Sequence, residues 1–306
     1  MDLPDFAPVT TEALAAVAAK YGAARATPMP EVGIFNRLYA LGDRLVLRVP
    51  RDHPAFTGAA LKEARVVPAV VAAGVRTPAL VDFDGSCSLL PVPYGVYERV
   101  GGVNAEQRGG GRSAGPDAVW RSVGHDLARL HLNVAADGPL AGIDKEALPP
   151  PQALLNALAD EGYLTPLDAG WLEALLGRLE GAVQGATGRR FSHGDVQLTN
   201  VMVGARGEYL GLLDWGASGW GDPAEDFAGV PLRVVPALLS SYREVAPLDD
   251  DEHAEARILY RHLQIALFLV RRPPLPGRSW AERPLGAAFE TLYGLITDPR
   301  WRRFVR

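Results

Sequence analysis

Apolar and polar residues alternate over several short segments in the first hundred residues, a spacing typical of strands. Gly42-Asp43 separates the first two of these segments and predicts a hairpin turn. The predicted strands lie at 31–41, 43–50, 77–83 and 94–100. Because short connections give antiparallel neighbours, the pattern predicts a small, mostly antiparallel sheet.

Apolar residues at three-to-four spacing predict helices beside and after this sheet. Thr10 to Gly22 has a threonine that can cap a helix and a glycine that can end it. Gly58 to Gly74 is predicted as a second helix, and Pro68 is expected to kink it or split it in two. After residue 116 the pattern is mostly helical, with one hairpin inside it.

The segment from 101 to 116 is glycine-rich and polar, which predicts a hinge followed by a flexible loop. We therefore expect an α+β protein with two parts. Residues 1–100 form a small sheet lobe and residues 101–306 a larger helical lobe.

Composition and charge narrow the classes of function. The net charge of −5 argues against a general nucleic-acid binder. The single cysteine, Cys87, allows neither an internal disulfide nor a cysteine-based zinc site, which fits a reducing compartment. The N-terminus lacks the apolar core of a secretory signal, and the longest apolar stretch, Ile258 to Val270, predicts a buried amphipathic helix. We expect a cytoplasmic protein with no membrane contact, as a monomer or homodimer.

Common phosphate-binding and hydrolase motifs are missing from the sequence. None of the three lysines lies in G-x-x-x-x-G-K-[ST], which excludes a Walker A loop. No G-x-G-x-x-G follows a strand, and no G-x-S-x-G elbow occurs. A nucleotide site would therefore need a different construction.

The stretch RRFSHGDVQLTNVMV, residues 189–203, places polar side chains in front of an apolar strand. The strand NVMVG, the turn ARGE and the strand YLGLLD form a predicted hairpin, which brings Asn200 and Asp214 to the same open end. A carboxylate and an amide oxygen side by side suit Mg²⁺, which completes its shell with water and substrate phosphates. Asp195 lies on the loop leading in, where a carboxylate can orient a hydroxyl and accept its proton.

The order of these motifs resembles that of kinases: His193-Gly194-Asp195, then Asn200, then Asp214-Trp215-Gly216. Glycine after the histidine and tryptophan in D-W-G resemble the aminoglycoside phosphotransferase family of small-molecule kinases. GDPAEDFA, residues 221–228, also resembles that family. EVGIFNRLY, LVLRVPR, ALKEARVV, YERVGG and LARLH match further segments more loosely, in the right order. The resemblance spans most of residues 30–230 and implies a protein-kinase-like bilobal fold.

The resemblance implies a role for each matching position. Asp195 would be the catalytic base, while Asn200 and Asp214 would hold Mg²⁺. Asp226 would brace the catalytic loop. The residues assigned to ATP or GTP would be Asn36 in the nucleotide loop, Arg48 at the phosphates, Glu63 as its partner, backbone groups of Glu98 and Val100 at the adenine edge, and Leu213 beneath the base.

Two departures keep alternatives open. Arg48 stands where most kinases have lysine, although LRVPR is similar to what some members, including macrolide kinases, carry. The loop GIFN offers few glycines. A nucleotide-binding pseudokinase is therefore one alternative. A two-metal phosphoester hydrolase is a weaker one, because the extra ligands it needs are missing.

The acceptor stays open between antibiotics, which would make this a resistance kinase for aminoglycosides or macrolides, and metabolites such as homoserine, choline-like alcohols or sugars. A polycationic aminoglycoside needs several carboxylates, and an apolar acceptor needs aromatic side chains. The candidate carboxylates are Asp160, Glu161, Glu225 and residues 249–252, although that acidic run more simply starts a helix. The candidate aromatic residues are Tyr163, Trp171, Trp220 and Tyr260.

Overall fold

The computed structural model describes residues 3–30, 35–108, 117–185, 188–273 and 285–305. The architecture is α+β, as the sequence pattern predicts. The strands are β1 (Ala26–Pro28), β2 (Asn36–Leu41), β3 (Leu45–Pro50), β4 (Leu80–Asp84), β5 (Tyr94–Glu98), β6 (Val103–Asn104), β7 (Arg190–Ser192), β8 (Val201–Val203), β9 (Tyr209–Leu212) and β10 (Gly219–Gly221). The helices are α1 (Thr11–Lys20), α2 (Pro54–Ala72), α3 (Ala105–Arg108), α4 (Asp117–Asn133), α5 (Pro151–Asp160), α6 (Pro166–Gln184), α7 (Val235–Val245), α8 (Ala254–Val270), α9 (Leu285–Thr297) and α10 (Pro299–Arg302).

The first five strands form one antiparallel sheet in the order β1-β2-β3-β5-β4. The predicted hairpin joins β2 to β3, and Gly42 in its turn has a φ of +64°, which favours glycine. The predicted first strand is shorter than expected, since β2 begins at Asn36. Residues 31–34 of the nucleotide-loop motif EVGIFNRLY lie outside the described residues.

The helix α2 runs without interruption from Pro54 to Ala72, so of the two outcomes expected at Pro68, a kink or a split, the split does not occur. Proline removes one backbone donor and disturbs the carbonyl four residues earlier, here that of Ala64. Pro68 lies on the exposed face of the helix, where water can satisfy that carbonyl. Val66, Val67 and Val70 are buried on the opposite face, and this packing holds the helix together across the proline.

The predicted flexible loop at 101–116 was partly wrong. Val103 and Asn104 form β6, which pairs with β8, and α3 follows at once. Residues 109–116 of that prediction lie outside the described residues. The segment after β5 is therefore attached to the hairpin that carries the candidate catalytic residues.

Buried apolar side chains form two clusters. The smaller one fills the space between α1 and the five-stranded sheet, around Leu47 and Val96. The larger one joins the helices after residue 116 and includes the buried valines of α2. The predicted amphipathic helix at 258–270 is confirmed as part of α8, with Ile258, Leu259 and Leu263 buried. None of the helices in the described ranges combines the length and apolarity needed to cross a bilayer.

Candidate active site

The hairpin β8–β9 brings the two predicted magnesium ligands together. Val201 pairs with Leu212 across the hairpin, and the backbone N–H of Leu213 donates to the Asn200 carbonyl at 2.8 Å. Asn200 and Asp214 therefore stand on neighbouring strand ends, as the sequence predicts. Asp214 has a φ of +64°, a left-handed conformation that is uncommon outside glycine and that marks a sharp change of chain direction.

Asn200 is oriented by the predicted catalytic base. Its amide nitrogen donates to the Asp195 carbonyl at 2.8 Å and to the Asp195 carboxylate at 3.0 Å. Gln197 donates to the same carboxylate oxygen at 2.9 Å. Because the amide nitrogen of Asn200 is engaged, its oxygen is the atom available to a cation. An amide oxygen beside the Asp214 carboxylate is a donor set that fits Mg²⁺.

Asp226 braces the turn that carries Asp195. Its two carboxylate oxygens accept from the backbone N–H groups of His193 at 2.8 Å and Gly194 at 2.7 Å. His131 contacts it through Nε2 at 3.0 Å, and both side chains are fully buried. Burial alone would raise the pKa of Asp226, but the hydrogen bond and charge of His131, with the charge of Lys145, lower it to about 2. Asp226 is therefore ionised at neutral pH.

His193 is a neutral imidazole with one defined tautomer. Its Nδ1 lies 3.2 Å from the backbone N–H of Asp195, and its Nε2 lies 3.0 Å from the Leu213 carbonyl. The first contact requires an acceptor and the second a donor, so the proton resides on Nε2. Burial lowers the pKa of His193, which agrees with this state. The ring also packs on Trp215 with centroids 4.4 Å apart. His193 therefore links the catalytic turn to the D-W-G segment.

Arg48 and Glu63 form the predicted ion pair. Nη1 of Arg48 lies 2.7 Å from Oε2 of Glu63, and its Nη2 lies 4.0 Å from Asp214. Sequence reasoning missed Tyr97, whose hydroxyl donates to the same Glu63 oxygen at 3.1 Å. It also missed Lys62, whose ammonium donates to the Gly216 carbonyl at 3.0 Å and so ties α2 to the D-W-G segment. Lys62 lies in ALKEARVV and Tyr97 in YERVGG, but neither segment by itself indicates a contact with a distant part of the chain.

The ionisation of this pair depends on burial. Burial, with help from the nearby Asp214 carboxylate, raises the pKa of Glu63 to about 7, although Arg48 opposes that shift. For Arg48, burial favours the neutral form, but Glu63 and Asp214 outweigh it and raise the pKa. Arg48 is thus a fixed cation whose partner carboxylate is costly to ionise.

A cleft of about 370 Å³ connects these groups. Five of the assigned residues line it: Asn36, Arg48, Glu63, Asp195 and Asp214. Glu98, Val100 and Leu213 are not among its lining residues. The backbone N–H of Glu98 donates to the Ala79 carbonyl at 2.9 Å, so this N–H is engaged within the sheet lobe. The assignments at the adenine edge stay predictions.

The candidate acceptor residues do not gather at this cleft. The acidic run from 249 to 252 precedes α8 in a short 3-10 turn rather than starting the helix itself. Among the four candidate aromatic residues, Tyr163 and Trp171 are exposed, and Trp220 donates its indole N–H to the Leu140 carbonyl at 2.9 Å. Neither candidate set contributes to the lining of the cleft.

Comparisons with solved structures match this fold over most of the chain. The GDP complex of aminoglycoside 2'-phosphotransferase-IIIa aligns with a TM-score of 0.63 and 18% identity, covering 92% of this chain and 96% of that one. A choline/ethanolamine kinase family protein from Mesorhizobium loti aligns at 0.62 and 18%, covering 96% of each chain. Macrolide 2'-phosphotransferase MphH from Brachybacterium faecium aligns at 0.54 and 20%, covering 92% and 97%. At these identities the matches show the fold, a kinase-like bilobal one.

Two comparisons concern the sequence itself. A search of curated protein sequences returns no match. A family model described as "APH: Phosphotransferase enzyme family" matches residues 30–259, well over half of the chain. The chain belongs to this phosphotransferase enzyme family.

Proposed function

We propose that the protein transfers the terminal phosphoryl group of ATP or GTP to a hydroxyl group of a small molecule, in the way of the antibiotic kinases. One observation carries this proposal: Asp195, Asp214 and the Arg48–Glu63 pair all line a single cleft. These groups supply a base, a cation ligand and a phosphate-binding cation, which phosphoryl transfer requires. The nucleotide complexes among the structural neighbours support the choice of co-substrate.

The residues of the chain divide the work of the reaction. The acceptor hydroxyl oxygen forms a bond to the γ-phosphorus, the bond from that phosphorus to the β–γ bridging oxygen breaks, and the hydroxyl proton passes to Asp195. Arg48 faces the phosphates and neutralises part of their charge. Asn200 and Asp214 would hold Mg²⁺, which supplies further neutralisation at the phosphate oxygens.

Hydrogen bonds from the backbone next to Asp195 to the buried Asp226 keep the proposed base in place. Asp195 lies on a turn whose backbone donors at His193 and Gly194 are both taken by Asp226. Catalysis of this type depends on positioning, because the nucleophile and phosphorus must approach in line. The buried Asp226–His131 pair is therefore part of the support for the reacting groups.

Phosphate transfer to a panel of alcohols tests the proposal, with aminoglycosides, macrolides, choline, homoserine and sugars as acceptors and ATP or GTP as donor. Asp195→Asn is expected to lower kcat by about a thousandfold while nucleotide binding remains. The matched control is Asp137→Asn, which changes an exposed carboxylate on a loop after α4. Nucleotide binding without transfer to any acceptor would instead favour the pseudokinase, an alternative that Arg48 motivates.

A metabolite kinase is the second candidate function. The structural match to a choline/ethanolamine kinase family protein is as good, at a TM-score of 0.62, as that to the aminoglycoside enzyme. The fold does not discriminate between the two, so the acceptor has to be inferred from the charges around the cleft.

A further inference from the structure

Carboxylates near the acceptor side of a kinase determine which cations it can bind, and most of the candidates in this chain are already neutralised. Glu161 pairs with Arg271, and Glu225 pairs with Lys145 and with Arg261. The acidic run is similar, since Asp249 pairs with Arg190 and Asp251 with Arg243. A polycation would have to displace these internal partners to bind there. The charge pattern therefore disfavours a polycationic acceptor.

One carboxylate differs from these. Glu146 lines the cleft together with Asp195 and Asp214, and it is exposed. Among the described residues it has no ion-pair or hydrogen-bond partner. The neighbouring Lys145 does not neutralise it, because the Lys145 ammonium bonds Glu225 instead. Glu146 thus offers an unshared negative charge in the same cleft as Asp195, the proposed base.

The loop that carries Glu146 is fixed before and after that residue. Before Glu146 in the chain, the Ile143 carbonyl accepts from the backbone N–H of Trp220 at 2.9 Å, and Asp144 pairs with Arg189 at 2.7 Å. After Glu146, the amide nitrogen of Gln264 donates to the Pro149 carbonyl at 2.9 Å.

Gln264 is itself oriented for this contact. It is only 4% exposed within α8, where an unpaired amide would be costly. Arg261 donates to its oxygen at 3.0 Å, which turns the amide nitrogen toward the loop. Arg261 is in turn held by Asp222 and Glu225, both at 3.4 Å. A chain of buried and half-buried contacts thus supports a loop whose central carboxylate is left unshared.

The same loop lies against the catalytic turn. A Cβ atom added to Gly194 would lie 3.1 Å from the Lys145 Cε. Gly194 has a φ of +82° and needs to be glycine for that reason also. The loop that carries Glu146 therefore packs, through the Lys145 side chain, against the turn that carries Asp195.

We propose that Glu146 is the acceptor-recognition residue and that its carboxylate binds the single ammonium group of a small amino alcohol. The inference rests on the proposed kinase function, which it deepens by naming the acceptor class. Among the described residues of the cleft, one carboxylate without a partner matches one positive charge, and Asp195 in the same cleft addresses the hydroxyl of the same molecule. Neutral alcohols lack the ion pair, and the further charges of an aminoglycoside find no second such carboxylate among these residues.

Steady-state kinetics with matched acceptors test this inference. The probes are 2-aminoethanol, choline and homoserine, their neutral counterparts ethylene glycol and glycerol, and kanamycin as a polycation. We expect kcat/KM to be highest among the amino alcohols. Glu146→Gln is expected to raise KM for the best amino alcohol by roughly tenfold or more, the worth of a charged hydrogen bond, and to bring it close to that of its neutral counterpart. Glu146→Asp keeps the charge but moves it back by one methylene group. Its KM for the same amino alcohol is expected to lie between those of the wild type and Glu146→Gln.

The control variant is Glu173→Gln, which removes an exposed carboxylate on α6 and should leave every KM unchanged. Preference for kanamycin or for neutral alcohols, turnover of no amino alcohol, or an unchanged KM in Glu146→Gln would overturn the inference. Failure of the kinase proposal is distinguishable, because the wild-type protein would then transfer phosphate to no acceptor of the panel. Failure of this inference alone leaves transfer to kanamycin or to neutral alcohols, or a KM that Glu146→Gln does not change.

Discussion

The Nε2 atom of His193 lies 3.0 Å from the carbonyl oxygen of Leu213, which joins the catalytic turn to the residue in front of Asp214. Asp195, the proposed base, and Asp214, a proposed cation ligand, are therefore linked through one neutral imidazole. A substitution of His193 should disturb the relative positions of Asp195 and Asp214 more than it changes the affinity for nucleotide.

His193→Leu tests this link, because leucine fills space but can neither donate to Leu213 nor accept from Asp195. We expect kcat to fall by about a hundredfold, with a smaller effect on the Kd for nucleotide. Loss of the buried hydrogen bonds is expected to cost about 2 kcal/mol of unfolding free energy, measured with urea. The control is His125→Leu, since His125 contacts Glu244 at the protein surface. An unaltered kcat in His193→Leu contradicts the proposed link.

Asp226→Asn tests the brace beneath the catalytic turn. In the wild type, each of the two carboxylate oxygens of Asp226 accepts from one backbone N–H group, those of His193 and Gly194. Asparagine keeps the size of the side chain but has only one acceptor oxygen. We expect the unfolding free energy to drop by about 2–4 kcal/mol, since a buried donor and the His131 contact lose their partner. Urea unfolding monitored by circular dichroism measures the change. Stability equal to that of the wild type would mean that the brace has no structural role.

Arg48→Lys tests whether the guanidinium group of Arg48 is required or only its positive charge. Lysine keeps the charge but loses the second nitrogen that faces Asp214, so it cannot hold both carboxylates at once. We expect nucleotide affinity to weaken by roughly tenfold, measured by calorimetry, and Arg48→Met to weaken it further. Arg44→Lys, at an exposed position in the β2–β3 turn, is the control. Equal affinity in Arg48→Lys would show that only the charge matters.

The pH dependence of stability should reveal His262. This histidine lies in α8 and donates to the Phe227 carbonyl at 3.0 Å. Burial lowers its pKa to about 4 from the usual 6.5. Between pH 6.5 and 4, this histidine is protonated in the unfolded chain but neutral in the folded chain. Its contribution to the unfolding free energy is therefore present at neutral pH and is lost as pH falls toward 4. The loss should reach about 3 kcal/mol.

The control for this pH effect is His262→Gln, which should reduce the slope between pH 6.5 and 4 by the contribution of His262. The remaining slope belongs to other buried groups, among them His193, whose pKa burial lowers, and Glu63, whose pKa burial raises and which acts with the opposite sign. Asp226 contributes at lower pH, because its pKa is lowered to about 2 and its stabilisation is lost only below about 3.8. A slope between pH 6.5 and 4 that is the same in His262→Gln as in the wild type would assign the effect to another group.

The candidate site was predictable from the sequence where its parts are close along the chain. Asn200 and Asp214 are joined by a hairpin, so strand pairing alone places them together. Asp195 comes five residues before Asn200 and follows from the same local geometry. These short separations fix the arrangement before any tertiary packing is known.

Other features depend on contacts between distant segments, and the sequence does not indicate them. Tyr97 reaches Glu63 across 34 residues, and Gln264 reaches the Glu146 loop across 115. The continuity of α2 through Pro68 likewise depends on the partners of its buried valines. Propensity and periodicity describe each segment separately, so these outcomes emerge only when the segments pack together.

Thermal unfolding with ATP or GTP, with and without Mg²⁺, tests the central claim most directly, on the wild type, on Asp214→Ala and on the exposed control Asp137→Ala. We predict that nucleotide raises Tm in the wild type and the control, that Mg²⁺ increases this shift, and that Asp214→Ala loses the Mg²⁺-dependent part. A folded wild-type protein with no shift for either nucleotide, or a Mg²⁺ effect that survives in Asp214→Ala, would contradict the account.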